Sequence, residues 1–327
     1  MKKLLLSLLL LAFVGTAIFI TVSRKPDPVI PSNPNTVTVV TSNMTIAAFA
    51  KDVAGDSATV TSLAKPGIEV HDFEPTPKQI ASLSDADLFI INGAGLEPWA
   101  EKIIPDLQKN GVTVVRLSDS VTLRKADKTS DEHGHDETET SDSHGHDEAE
   151  MSDPHFWLSP VVMQKGITAI AEGLRSVEPT NADQYTKNAA TVNTELANLD
   201  AEYRKNLAPE RCQLDTIIAA HDAYGYLAAE YGFTIEAISG ISPEEEPSAA
   251  RLSELAELVK KTGIKHIFFE SLTSPKLAET IAKETGATTL ELNPLEGFSE
   301  EDIANKKTYI SIAKDNLANL KTAMQCQ

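Results

Sequence analysis

Cysteine is nearly absent from this chain: 327 residues contain two, Cys212 and Cys326. They are far apart, so neither belongs to the short C-x-x-C of a zinc ribbon or a thiol redox site. Cations are also in deficit. Lys and Arg number 29 against 48 Asp and Glu, a formal net charge of −19. Such a chain repels nucleic acid and favours cationic ligands. No H-E-x-x-H occurs, which removes the helix-borne site of a zinc protease. Histidine is scarce too, at eight residues, and its placement is what carries information.

Four of the eight, His133, His135, His144 and His146, sit in the run from Asp127 to Glu150, which holds ten Asp/Glu and one Lys. His71, His155 and His221 lie far apart, each within two residues of an Asp and near apolar segments. His266 lies on a short apolar strand and reads as structural. Imidazole is the commonest side-chain metal ligand and is available as the neutral base near pH 7. The pattern suggests two kinds of metal contact, one loose in the acidic run and one built into the fold.

The N-terminus reads as a targeting segment. Lys2-Lys3 precedes an apolar run from Leu4 to Val22, followed by Arg24-Lys25. The run approaches bilayer length, no clean A-x-A site follows it, and no cysteine is there for a lipid. Residues 1–25 are therefore expected to be either a cleaved signal peptide or a retained membrane anchor, and both stay open. Residues 26–35 are a Pro-rich linker. Beyond the membrane, two cysteines favour one disulfide, Cys212 to Cys326, pinning the C-terminal helix to the start of the second half.

The rest alternates strands with helices. Strands are expected at Thr36–Thr41, Ala58–Leu63, Asp87–Asn92 and Val112–Leu117, then at Asp215–Ala220, Thr234–Ile238, Lys265–Glu270 and Thr288–Leu292. Helices fall between them, one at Glu97–Lys109 that Pro105 should kink or interrupt, and one long helix closes the chain from Glu300 to Met324. A polar-apolar pattern from Thr180 to Leu207 gives a helix on the order of 40 Å long. Residues 119–152 show no apolar periodicity and are expected to be an acidic, His-rich disordered loop. The fold class is thus α/β: two lobes, each a small mostly parallel sheet flanked by helices, around one connecting helix. The boundaries are 36–178 for the first lobe, 179–208 for the connector and 209–327 for the second. The three isolated histidines each fall where a loop meets a regular element, and in open α/β sheets ligands bind beyond the carboxyl ends of strands.

Several blocks in this order then carry a resemblance: VHDFEPTP, INGAGLEPW, DPHFWLSP, HDAYGYLAAEYG, GISPEEEPSA, IFFES and LNPLEG. Over nearly everything after residue 35 the chain resembles the metal-specific solute-binding proteins of ABC importers, within them the zinc-binding, ZnuA-like type. The resemblance implies a rigid connecting helix and a metal site in the cleft between lobes, with His71, His155 and His221 as ligands. Histidine at the third position favours zinc over manganese, since imidazole suits zinc and oxygen-rich sites suit manganese. The fourth ligand falls in Leu292-Asn-Pro-Leu-Glu-Gly297, with Glu296 first and water or Asn293 as alternatives. Glu270 should lie behind the ligands and orient a histidine. Trp99 and Trp157 read as packing residues near the cleft. The implied function is capture of Zn2+ outside the cytoplasm by a monomer that delivers it to a membrane permease, with no catalysis. A manganese-binding member, a surface adhesin and a zinc-dependent hydrolase are the alternatives.

Overall fold

Runs of β-branched and aliphatic residues make short strands, and most are followed by a helix whose start is set by a capping side chain or a proline. The computed structural model describes residues 36–126 and 152–327. The expected targeting segment (1–25), the linker (26–35) and His133, His135, His144 and His146 lie outside the described residues. The first half runs β1 (Val37–Thr41), α1 (Met44–Ala54), β2 (Ala58–Ser62), α2 (Pro77–Ser82), β3 (Leu88–Ile91), α3 (Pro98–Lys109) and β4 (Thr113–Arg116). Next come α4 (Pro160–Val177) and α5 (Ala182–Asn206). The second half runs β5 (Thr216–Ala219), α6 (Gly225–Tyr231), β6 (Thr234–Ala237), α7 (Ala249–Thr262), β7 (His266–Phe269), α8 (Lys276–Thr285), β8 (Thr288–Glu291), α9 (Glu300–Ala304) and α10 (Tyr309–Ala323).

The strands form two sheets of the same winding, β2-β1-β3-β4 and β6-β5-β7-β8. Every pairing is parallel. Each sheet therefore reverses its strand order once, between β1 and β3 or between β5 and β7, and opens a crevice there at the carboxyl ends of the strands. Helix α5 joins the halves. It buries Tyr185, Ala189, Val192, Leu196, Leu199 and Tyr203, a stripe at alternating spacings of four and three that suits one helical face. That stripe belongs to a single apolar cluster containing Val39 and Ile90 of the first sheet and Ile217 and Phe268 of the second. At its N-terminal end α5 receives the first half, where Asn188 Nδ2 donates to Val53 O at 2.9 Å. At the other end Tyr203 Oη donates to Ala313 O of α10 at 2.6 Å. Cys212 and Cys326 are disulfide-bonded, which ties the chain after α10 to the residues before β5. Among the described residues no helix is long and apolar enough to cross a membrane.

Three expectations need correction. The closing segment is two helices, because Lys306 turns left-handed with φ 54° and Thr308 opens α10 with its own capping box to Ser311. Helix α3 runs unbroken through Pro105. Pro105 is on its exposed face, where water can solvate the carbonyl that loses its partner. The expected disorder from residue 119 starts too early. Leu117–Ser120 is a 3-10 turn, Val121 and Leu123 pack on the core, and Lys125 bridges Ser152 in antiparallel fashion.

Candidate metal centre

Four loops at the carboxyl ends of the two sheets converge on one point. The loop after β2 brings His71, the segment before α4 brings His155, the turn after β5 brings His221, and the loop after β8 brings Glu296. One nitrogen from each ring and one oxygen of Glu296 all lie within 4.8 Å of one another. His71 Nε2 is 3.0 Å from His155 Nε2, which is 3.4 Å from His221 Nε2. Glu296 Oε1 is 3.5 Å from His71 Nε2, 3.6 Å from His155 Nε2 and 3.3 Å from His221 Nε2. Four donors held about 2.0–2.2 Å from one tetrahedral ion stand about 3.3–3.6 Å apart. The His155–His221 distance and the three to Glu296 fall in that window, and His71 stands closer to His155, so the group could close around one small ion.

The group is nearly closed to solvent. The side chains of His155, His221 and Glu296 are 0% exposed and that of His71 is 10% exposed. Neither oxygen of Glu296 receives a hydrogen bond from the protein. A buried carboxylate in that state is costly unless a cation meets it. Burial alone would raise the Glu296 carboxyl. His221 and His71 beside it outweigh burial and hold it below the usual carboxylate range.

Two rings are aimed from behind by carboxylates. Asp153 Oδ1 accepts from both the backbone N–H and the Nδ1–H of His155, each at 2.9 Å. Glu270 Oε1 lies 2.7 Å from His221 Nδ1. Both bonds leave Nε2 pointing into the site. Glu270 closes β7 and His221 follows β5, so the pair occupies the point where the second sheet reverses. Burial lowers His155 to about 4, against the pull of Asp153, so its ring is neutral. Burial would lower His221 too, but Glu270 and Glu296 outweigh it and raise its pKa well above the ordinary value. Glu270 itself is raised by burial, with His221 opposing.

The loop of Glu296 shows why Asn293 stands back. Its amide oxygen accepts from Leu295 N at 2.8 Å and its amide nitrogen donates to Ser271 Oγ at 3.0 Å. Its backbone exchanges two bonds with the Asn316 side chain, at 2.9 and 2.7 Å. The asparagine builds the turn, and Leu295 takes a left-handed φ of 55° within it. Bonds from the first half clamp that turn: Thr45 Oγ1 donates to Leu295 O at 2.5 Å and Trp157 Nε1 to Pro294 O at 2.9 Å. Trp157 also packs against His155 in a tilted arrangement, with centroids 5.2 Å apart. Trp99 packs elsewhere, with Phe73 and Phe89. His266 meets Thr288 Oγ1 at 2.9 Å, away from the site.

Sequence reasoning missed two carboxylates. Asp153 was legible in principle, two residues before a candidate ligand. Glu69 caps the turn of His71 through the backbone N–H of His71 at 2.9 Å and of Asp72 at 3.1 Å. Burial and the neighbouring Glu296 raise Glu69 to about 7.

ZnuA, the periplasmic component A of zinc-uptake complexes, matches residues 39–323 as a family. The zinc-binding lipoprotein AdcA of Streptococcus pneumoniae is 38% identical over 284 residues, covering 86% of this chain and 55% of AdcA. The chain thus spans about half the length of that relative. The Zn(II)-bound ZnuA-like domain of AdcA superposes with a TM-score of 0.73 at 36% identity, over 88% of this chain and 99% of the domain. The high-affinity zinc uptake system protein ZnuA of Bacillus subtilis is 38% identical over 286 residues, 88% of this chain and 87% of that protein. The laminin-binding protein Lmb of Streptococcus agalactiae, a bifunctional protein with adhesin and metal transporting activity, gives a TM-score of 0.74 at 33% identity, over 88% of this chain and 98% of Lmb.

Proposed function

We propose, from the premise that this chain belongs to the ZnuA family of zinc-uptake components, that it captures Zn2+ outside the cytoplasm and hands it to an ABC-type permease. His71, His155, His221 and Glu296 are the ligands in this reading. The observation that carries it is the buried set of three imidazole nitrogens and one carboxylate oxygen, all within 4.8 Å. Three imidazoles favour zinc over manganese, which prefers more oxygen donors. Glu296 and Glu270 together balance the charge of a dication, which an amide at Asn293 would not. Residues 36–178 and 209–327 form the two lobes and 179–208 the strut between them. The protein acts as a monomer, tethered or released through its N-terminal segment, and the acidic run with His133, His135, His144 and His146 is an accessory, weaker metal binder.

It is a carrier, not an enzyme. A catalytic zinc keeps one position open for water, and here a carboxylate stands in the fourth place. The purified protein should take up one zinc tightly in the cleft, lose that binding sharply on His71→Ala, His155→Ala or His221→Ala, and hydrolyse neither simple esters nor peptides. Unchanged affinity in any of the three variants removes that residue from the site. The likeness to Lmb makes adhesion a second reading. Binding of the metal-loaded protein to immobilised laminin tests it directly.

A further inference from the structure

The chain leaves the described fold after Ala126 and re-enters at Ser152, and the place where it does so is built against His155. Lys125 and Ser152 form an antiparallel bridge, and Asp153 N donates to Arg124 O at 3.0 Å. Asp153-Pro154-His155 follows at once. The two carbonyls ahead of His155 are each captured by a side chain, one from either lobe. Asn92 Nδ2, just past β3, donates to Pro154 O at 3.0 Å. Tyr226 Oη, on α6, donates to Asp153 O at 2.9 Å. The same hydroxyl accepts the backbone N–H of Arg124 at 2.8 Å, so one oxygen fastens both sides of the stem to the second lobe.

The surroundings are shaped for that contact. The Arg124 guanidinium lies over the Tyr226 ring, 5.9 Å from its centroid. A Cβ on Gly225 would come within 2.9 Å of Asp153 Oδ2 and 3.3 Å of Arg124 Nε, so a glycine is what lets both approach α6. Tyr226 is 4% exposed, and burial pushes its phenol up to about 12, so the hydroxyl keeps the proton it donates.

We propose that Tyr226 is a positioning residue for the metal centre: its hydroxyl fixes the stem and the Asp153 backbone to α6, and so sets His155 against His221 across the lobe boundary. The relay is short. Asp153 Oδ1 holds the His155 ring at 2.9 Å, the two Nε2 atoms stand 3.4 Å apart, and His221 lies on the turn that leads into α6. Removing the hydroxyl strands a buried carbonyl at Asp153 and a backbone N–H at Arg124, and frees the backbone that aims His155. The inference rests on the zinc reading of the site.

The test uses the full chain and three measurements: zinc affinity by chelator competition, the absorption spectrum of the Co2+-loaded protein, and metal-free thermal unfolding. Tyr203→Phe is the control, because its hydroxyl is also buried and bonded, to Ala313 O at 2.6 Å, but lies away from the stem. Tyr226→Phe is expected to weaken zinc by about tenfold or more and to change the Co2+ spectrum, which reports ligand geometry. Tyr203→Phe should lower the unfolding temperature and leave both metal readouts at the wild-type value. Gly225→Ala keeps the hydroxyl but pushes Asp153 and Arg124 away, and should reproduce the Tyr226→Phe change in the spectrum. Wild-type affinity and spectrum in Tyr226→Phe overturn the proposal, as does an equal loss of affinity in the Tyr203→Phe control. A wild-type protein that binds no zinc overturns the reading of the site itself, and this proposal with it.

Discussion

Glu296→Gln keeps the shape of the side chain and removes one charge. Zinc sites with four protein ligands bind with about 10–16 kcal/mol of apparent free energy, so an average ligand accounts for about 2.5–4 kcal/mol, roughly 10²–10³-fold in Kd. Two features of this site move that figure in opposite directions. Glu296 is the one anion among the four donors and is 2% exposed, so its attraction to a dication is poorly screened and the loss is larger than average. The same charge also helps keep His221 protonated in the metal-free protein, a state that zinc must undo. Glutamine weakens that competing state and returns part of the loss. The expected net effect is about a 10²-fold weaker Kd, read by competition against a chromophoric chelator at fixed neutral pH, with metal-free unfolding as the folding control. A folded variant whose affinity changes by less than about threefold, under 1 kcal/mol, would refute the reasoning, and water or Asn293 would then take the fourth position.

Protons should leave when zinc enters. His221 holds a proton near neutrality because Glu270 and Glu296 outweigh the effect of burial, and a ligating imidazole must be neutral. Zinc affinity therefore falls as pH falls, by about tenfold per unit below the metal-free pKa of His221. His155, already neutral with a pKa of about 4, adds nothing until the solution is strongly acid. Calorimetry in buffers of different ionisation enthalpy measures the release, and zero protons per zinc at neutral pH would contradict this account. Replacing Cys212 and Cys326 by serine opens a covalent link across 114 residues and should cost about 2–5 kcal/mol, lowering Tm by several degrees. Zinc affinity should hold, because the bond lies before β5 and His221 after it; a parallel loss of affinity would show that the two ends of the sheet are coupled. Deleting residues 131–148 should leave one tight site by calorimetry, and disappearance of that site would move the principal metal binding into the acidic run.

Much of this architecture is legible in the residues because the signals are local. VTVVT reads as a strand from its β-branched run and LFII as a buried one, and they are β1 and β3. Met44–Ala54 begins after an asparagine whose side chain accepts from Ile46 N. The break inside the closing helix is harder to read. Its second start, Thr308, pairs with a serine where a capping box usually has Glu or Gln. Pro105 misleads because the rule concerns a lost hydrogen bond, and the cost depends on whether the orphaned carbonyl faces water, which a sequence does not state. At the candidate metal centre the four residues that converge are legible as candidates, and the groups that support them are less so. Glu270 is placed by its position at a strand end. Asp153 and Glu69 act through backbone turns, and Asn293 turns out to spend its amide on Leu295 and Ser271.

The four donors are strangers in the chain. His71 and His155 are 84 residues apart, and His155 and His221 another 66. In an unfolded polypeptide such groups rarely meet, because each closure carries a large entropic penalty. The four-donor site consequently exists only after both halves have folded and docked, and on the proposed reading a zinc ion bound there would stabilise that finished state by mass action, less whatever the acidic run binds in the unfolded chain. On the proposed reading the ion would thus inspect the fold that holds it: a copy with one lobe misassembled would have no cleft site to fill.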